Sequence, residues 1–297
     1  MMFKSKVKLV LIASLIFFFS CGRDSNQSSS EKKVISVSIY PQKYFIEQIA
    51  GEDVRVNVII PPGANPATYE PSPGQMKNLG DSEAYLKIGH LVFEKAWLPK
   101  LSSVNPDMKI FDQSENIDVI SDKGHSHGNH QHSAGVDPHI WMSPKLVKKQ
   151  IKTVRDMLQK LYPDNENVFN ENYSDFLREL DTLDTYMENR FDSADNRAFI
   201  IFHPALSYLA RDYNLTQISI ETEGKEPTPS KMEELMQKAE KNQINTIFIQ
   251  EQFSTDKAKA LAREINAKVV VINPLSYDWY SEMRTITDKL VKSMTKD

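Results

Sequence analysis

The residues in this chain with the clearest capacity for chemistry are its seven histidines: His90, His125, His127, His130, His132, His139 and His203. Four of them crowd into GHSHGNHQH, residues 124–132. Imidazole is the commonest metal-ligating side chain, and Gly, Ser and Asn between the rings let such a stretch adapt to an ion. The tract therefore reads as an auxiliary metal-contacting loop; a solvated polar loop without a ligand is the plainer alternative. It is a poor principal site, because preorganised ligands sit on rigid elements.

Other candidates stand at the ends of apolar runs. His203 directly follows Ala198–Phe202 (AFIIF) and precedes Pro204. Asp278 lies in NPLSYDW, after KVVVI, and His139 lies in DPHIW. Open parallel α/β sheets bind ligands beyond the carboxyl ends of their strands, and His203 and Asp278 meet that rule. Two imidazoles and a carboxylate make a core for a divalent transition metal. His90 follows EAYLKI, in a loop expected to face the same cleft. Taken singly, each of these residues is more often a hydrogen-bonded structural side chain, and for His90 a loop-capping histidine is as good a reading as a ligand; the case rests on their being together. Trp141, Tyr208 and Trp279 neighbour the candidates and wall the site or simply pack. Glu221, Glu223 and Glu226 are outer carboxylates or, the favoured reading, exposed acids of a loop.

The elements that must position these residues alternate. Val34–Tyr40, Val54–Ile60, Glu83–Ile88 and Met108–Phe111 read as strands, with helices at Pro41–Ala50 and around Phe93–Leu101. Helical patterning covers Pro144–Leu161. A longer run, Asn165 to about Asp192, repeats Phe169, Tyr173, Phe176, Leu180, Leu183 and Met187 at helical spacing. Strands return at Ala198–Phe202, Gln217–Glu221, Thr246–Gln250 and Lys268–Ile272. Helices lie between them, at Ala205–Tyr213, Ser230–Asn242 and Asp256–Ile265, and a last one covers Trp279–Met294. Strands separated by helices imply parallel sheet. The expected fold is α/β: two lobes, each a mostly parallel sheet flanked by helices, joined by one long rigid helix. The boundaries read as an N-terminal lobe at 34–162 with a His-rich loop at 123–135, a linking helix at 163–193 and a C-terminal lobe at 194–297.

Residues 1–20 have the layout of a secretory signal: Lys4, Lys6 and Lys8, then the apolar run Leu9–Phe19. Ser20 precedes Cys21, the only cysteine, as in a bacterial lipobox, although Phe18 stands where a smaller aliphatic residue is usual. Cys21 is thus the expected lipidation site, and the polar stretch 21–33 a flexible tether. The leader takes three of the 36 Lys and Arg and none of the 40 Asp and Glu, leaving a net charge of −7 on the rest. That balance argues against a nucleic-acid partner. A single cysteine permits no internal disulfide, and no second apolar run is long enough to cross a membrane.

Five motifs then occur in order: GANPATYEPSP (63–73), DPHIWMSP (137–144), FHPALSYLARDYNL (202–215), EGKEPTPSKMEEL (223–235) and NPLSYDW (273–279). Together they resemble the metal-binding component of zinc and manganese ABC importers, over essentially the whole chain after the leader. The resemblance implies His139, His203 and Asp278 as metal ligands, and the His tract as the insertion of zinc-type members. It also implies an extracytoplasmic, lipid-anchored monomer that hands zinc, with manganese as the alternative, to a membrane permease. His203, where manganese-type members tend to carry Glu, favours zinc, since nitrogen donors suit zinc and oxygen donors manganese. One departure stands out. The family pattern NPHTYEP is here Asn65-Pro66-Ala67-Thr68-Tyr69-Glu70-Pro71, so a methyl group replaces a ligand. Water, a tract histidine or another nearby residue must take its place; His90 is the expected substitute, with Glu70 a weaker candidate.

A metal-dependent hydrolase is the competing reading, since three protein ligands and a water also describe a catalytic zinc. The sequence has neither HExxH nor a nucleophile elbow, and no general base is evident beside the ligands. The expectation is therefore a binding protein and not an enzyme. A surface adhesin is a further alternative.

Overall fold

The computed structural model describes residues 33–121, 135–221 and 228–295. The leader, Cys21, the four tract histidines, Glu223 and Glu226 lie outside them. Strands β1 (Val34–Val37), β2 (Arg55–Val58), β3 (Ser82–Lys87) and β4 (Lys109–Asp112) pair in parallel in the order β2-β1-β3-β4. Parallel neighbours need crossovers, supplied here by α1 (Tyr40–Ala50), α2 (Pro73–Gly80) and α3 (Val92–Val104). A second sheet repeats the plan: β5 (Ala198–Ile201), β6 (Thr216–Ser219), β7 (Thr246–Gln250) and β8 (Lys268–Ile272), in the order β6-β5-β7-β8. Its crossovers are α6 (Ser207–Asp212), α7 (Pro229–Lys241) and α8 (Thr255–Glu264). Each sheet reverses its winding direction once, between β1 and β3 and between β5 and β7. Such switch points open crevices at the carboxyl ends of strands. His203 follows β5 and His90 follows β3, so each lies at one.

Helix α4 (Pro144–Leu161), α5 (Glu166–Asp192) and α9 (Trp279–Met294) complete the fold. The 27 residues of α5 span about 40 Å at 1.5 Å per residue. Its apolar stripe, Phe169, Phe176, Leu180, Leu183, Met187 and Phe191, is buried against α1 and α4 on one side and α9 on the other. One apolar core thus runs from the first sheet through α5 to one face of the second. The alternation of β5 divides the remainder. Phe199 and Ile201 face that core, while Ile200 and Phe202 face a second cluster under α7 and α8.

Three local departures from the sequence reading have identifiable causes. β1 stops at Val37 because the Gln42 side chain accepts the Ser38 and Ile39 N–H groups, which starts α1 early at Tyr40. Helix α2 falls in a stretch that reads as a motif loop. Ser72 and Gln75 cap it reciprocally, and Pro73 occupies its first turn. The linking helix begins at Glu166, after a 3-10 turn over Pro163–Asn165.

Candidate metal centre

His139 and His203 come together from segments far apart in sequence. Their ring centroids are 5.2 Å apart, with an interplanar angle of 71°. A carboxylate sits on Nδ1 of each: Asp137 Oδ1 lies 2.7 Å from His139, and Glu221 Oε2 lies 2.8 Å from His203. An ionised carboxylate only accepts hydrogen bonds, so it favours the tautomer with the proton on Nδ1. Nε2 of each ring then carries the lone pair and is the nitrogen available to a metal.

Local chemistry explains how the first ring is set. Asp137 Oδ1 also accepts the backbone N–H of His139 at 2.9 Å, an Asx-type turn across Pro138. Burial pushes the Asp137 carboxyl up, but the adjacent His139 and its hydrogen bonds outweigh this and hold it below the usual carboxylate range. Tyr208 Oη donates to the Asp137 carbonyl at 2.7 Å, which ties this loop to α6. Trp141, whose ring centroid is 5.2 Å from that of His139, donates Nε1–H to the Pro274 carbonyl at 2.8 Å. Trp279 in turn donates Nε1–H to the Trp141 carbonyl at 2.9 Å. All three aromatics are buried and function as braces.

The second ring is held from three sides. Phe253 stacks on His203 with centroids 5.2 Å apart and planes 28° apart. Gln250 Nε2 donates to the His203 carbonyl at 2.7 Å. Glu221 supplies the third contact and corrects the expectation of an exposed loop acid, because it is only 9% exposed. The sheet explains why. The Ile220 and Glu221 N–H groups bond the Ile201 and Phe202 carbonyls, both at 2.9 Å, and so extend the β5/β6 pairing beyond β6.

Two expected ligands are not gathered with this pair. Among the described residues no three His, Cys, Asp or Glu side chains form a group that could hold a metal ion. Asp278 is exposed, and its carboxylate accepts the Ser281 N–H at 3.2 Å, capping α9. His90 stands instead among Lys87, Lys95 and Asp112. Burial lowers its pKa; Asp112 opposes this and the two lysines add to it. Lys87 is itself paired with Asp112 at 2.8 Å. Glu70 and Ala67 are exposed, and the Ala67 N–H bonds Asn65 Oδ1 at 2.8 Å. Asp278→Ala is expected to cost about 1 kcal/mol through the lost cap and to weaken zinc binding, since the single hydrogen bond to Ser281 leaves carboxylate lone pairs free for the ion. Denaturant unfolding and zinc titration of the same variant check both halves.

The sequence reading missed Asp137, Gln250 and Phe253 as partners of the two rings. Asp137 carried a usable signal, an Asp two residues before a His with Pro between them. Contacts of Gln250 and Phe253 arise from strand order, which single-residue spacing does not encode.

Residues 35–293 match the family described as zinc-uptake complex component A, periplasmic. The chain belongs to this family. It is 31% identical over 278 residues to the zinc-binding lipoprotein AdcA of Streptococcus pneumoniae, covering 90% of this chain and 54% of that protein. The chain thus spans about half the length of AdcA. The high-affinity zinc uptake system protein ZnuA of Bacillus subtilis is 29% identical over 288 residues, with 92% of this chain and 90% of that protein covered. A crystal structure of a ZnuA deletion mutant with zinc bound superimposes with a TM-score of 0.83 at 39% identity, over 90% of this chain and 100% of that one. Two parallel sheets flanked by helices, with one long helix, are the two-lobe fold shared with these zinc-uptake components.

Proposed function

We propose that the chain is the extracytoplasmic zinc-capturing component of an ABC importer, holding zinc through Nε2 of His139 and His203. The observation that carries this is the adjacent pair, each ring tied at Nδ1 by a carboxylate. Zinc bonds imidazole nitrogen at about 2.0–2.1 Å and prefers tetrahedral angles, which sets two bound rings roughly 5 Å apart between centroids. The 5.2 Å separation matches that requirement. Nitrogen donors favour zinc over manganese. We assign the third position to Asp278, as the family motif NPLSYDW implies, and, with Ala67 in place of the family's histidine, the fourth to water or His90. Membership of the zinc-uptake family and similarity to zinc-binding relatives support the same cargo.

The chemistry asked of the site is reversible ligation and not turnover. Both carboxylates beside the rings are committed to Nδ1, so neither is a general base for a metal-bound water. Anchoring is assigned to a lipid on Cys21, the lone cysteine that follows Ser20 at the end of a secretory-signal layout. A membrane permease is the partner that receives the ion from the monomeric chain. Growth under zinc chelation tests this directly. A strain lacking the chain should stop growing and recover with wild type or added zinc, but not with the His139→Ala/His203→Ala variant. Equal recovery with wild type and the double variant would defeat the proposal.

A further inference from the structure

We propose that Glu221 is a positioning residue for the metal site, whose carboxylate locks His203 into the tautomer protonated on Nδ1 and thereby keeps Nε2 open to zinc. The inference rests on the reading that zinc is held by the His139–His203 pair.

The contact is built into the sheet. Glu221 is delivered by the backbone pairing that continues β5 and β6, with its N–H bonded to the Phe202 carbonyl at 2.9 Å, one residue before His203. Its side chain is 11% exposed and its Oε2 lies 2.8 Å from Nδ1. Backbone and ring plane of His203 are fixed separately. Its carbonyl accepts Gln250 Nε2 at 2.7 Å and the Ala205 N–H at 2.8 Å, and Phe253 stacks on the ring. What those contacts leave undetermined is which ring nitrogen carries the proton. A carboxylate decides it, because it offers only acceptor oxygens and so requires a hydrogen on the facing nitrogen. An amide in the same place would decide nothing, since it can accept through Oε1 or donate through Nε2. Donation would leave the proton on the ring's own Nε2 and block the metal. Asp137 does for His139 what Glu221 does for His203, but through a turn two residues long. Glu221 reaches across 18 positions and depends on the strand pairing.

The tautomer is the readout that separates this role from a purely structural one. Long-range proton–nitrogen NMR of the metal-stripped, full chain is expected to show His203 protonated on Nδ1 in wild type and a mixture of tautomers in Glu221→Gln. Zinc titration should then show affinity weakened about 10–100-fold in Glu221→Gln and Glu221→Ala, the range typical of partners that orient a metal-bound imidazole. A purely structural role would lower the melting temperature while leaving tautomer and zinc affinity of the folded variants unchanged, and that pattern overturns the proposal. So does a wild-type His203 protonated on Nε2. If wild type binds no zinc while His203 is protonated on Nδ1 in wild type and mixed in Glu221→Gln, the zinc reading falls and the tautomer assignment to Glu221 is supported.

Discussion

Replacing His203 with alanine is expected to weaken zinc binding at least about 100-fold, or roughly 2.8 kcal/mol at 1.4 kcal/mol per factor of ten. The size follows from what is removed. His203 brings a nitrogen donor whose ring plane, backbone and Nδ1 are already fixed by Phe253, Gln250 and Glu221. Binding zinc there costs little ordering of the side chain. Alanine substitutes water, and the loss should exceed the roughly 10–100-fold seen when only an outer partner of a ligand is removed. His139→Ala should behave alike, for its ring is set by Asp137 and by the braced segment through Trp141. Because both nitrogens serve one ion, the two losses should not add in the double variant. Competition with a chelating zinc indicator gives all three affinities. Retention of wild-type affinity by either single variant would place the cargo elsewhere.

Trp141→Ala is expected to destabilise the protein by about 3–5 kcal/mol, a large share of the roughly 5–15 kcal/mol typical of folded domains. Trp141 is 1% exposed, so its removal leaves a cavity in the core that joins the two sheets. The Pro274 carbonyl would also lose its donor. Trp141→Phe separates the two contributions: most of the ring volume stays, while the unpaired carbonyl alone should cost about 1–3 kcal/mol. Urea unfolding of the two variants measures both. The damage should extend to the site, since Trp141 lies two residues from His139 and packs against its ring. Trp141→Ala should therefore bind zinc more weakly even under conditions where it is fully folded.

How far the fold was readable from sequence depended on period. Pro144–Leu161, Thr246–Gln250, Lys268–Ile272 and Trp279–Met294 match the sequence reading to the residue, because long amphipathic runs and short Val/Ile runs carry strong periodic signals. Helix α2 was missed although Ser72-Pro73-Gly74-Gln75 contains a capping box, since its eight residues hold one buried apolar side chain, Leu79. The site was legible in part. His139 and His203 could be singled out by their places after a Pro-flanked turn and a strand. Their pairing depends on how the loop after β4 reaches α6 through Tyr208, a tertiary contact no local spacing reveals. Asp278 stands both just after a strand and just before a helix, and only its second position, as the cap that accepts the Ser281 N–H, is a local contact. A switch point exists in each sheet, and the charged neighbours of His90 show only in three dimensions. Glu221 was misjudged because its segment is rich in charge and proline, whereas backbone pairing to β5 pulls that one residue inward.

Calorimetric zinc titration of the metal-stripped protein, in parallel with the His139→Ala/His203→Ala variant, tests the His139–His203 site most directly. Wild type is expected to bind zinc with a dissociation constant below about 1 µM, equivalent to about −8.2 kcal/mol, and the double variant to lose that event. No binding by wild type, or an equally tight event in the double variant, would contradict a zinc site built on this histidine pair.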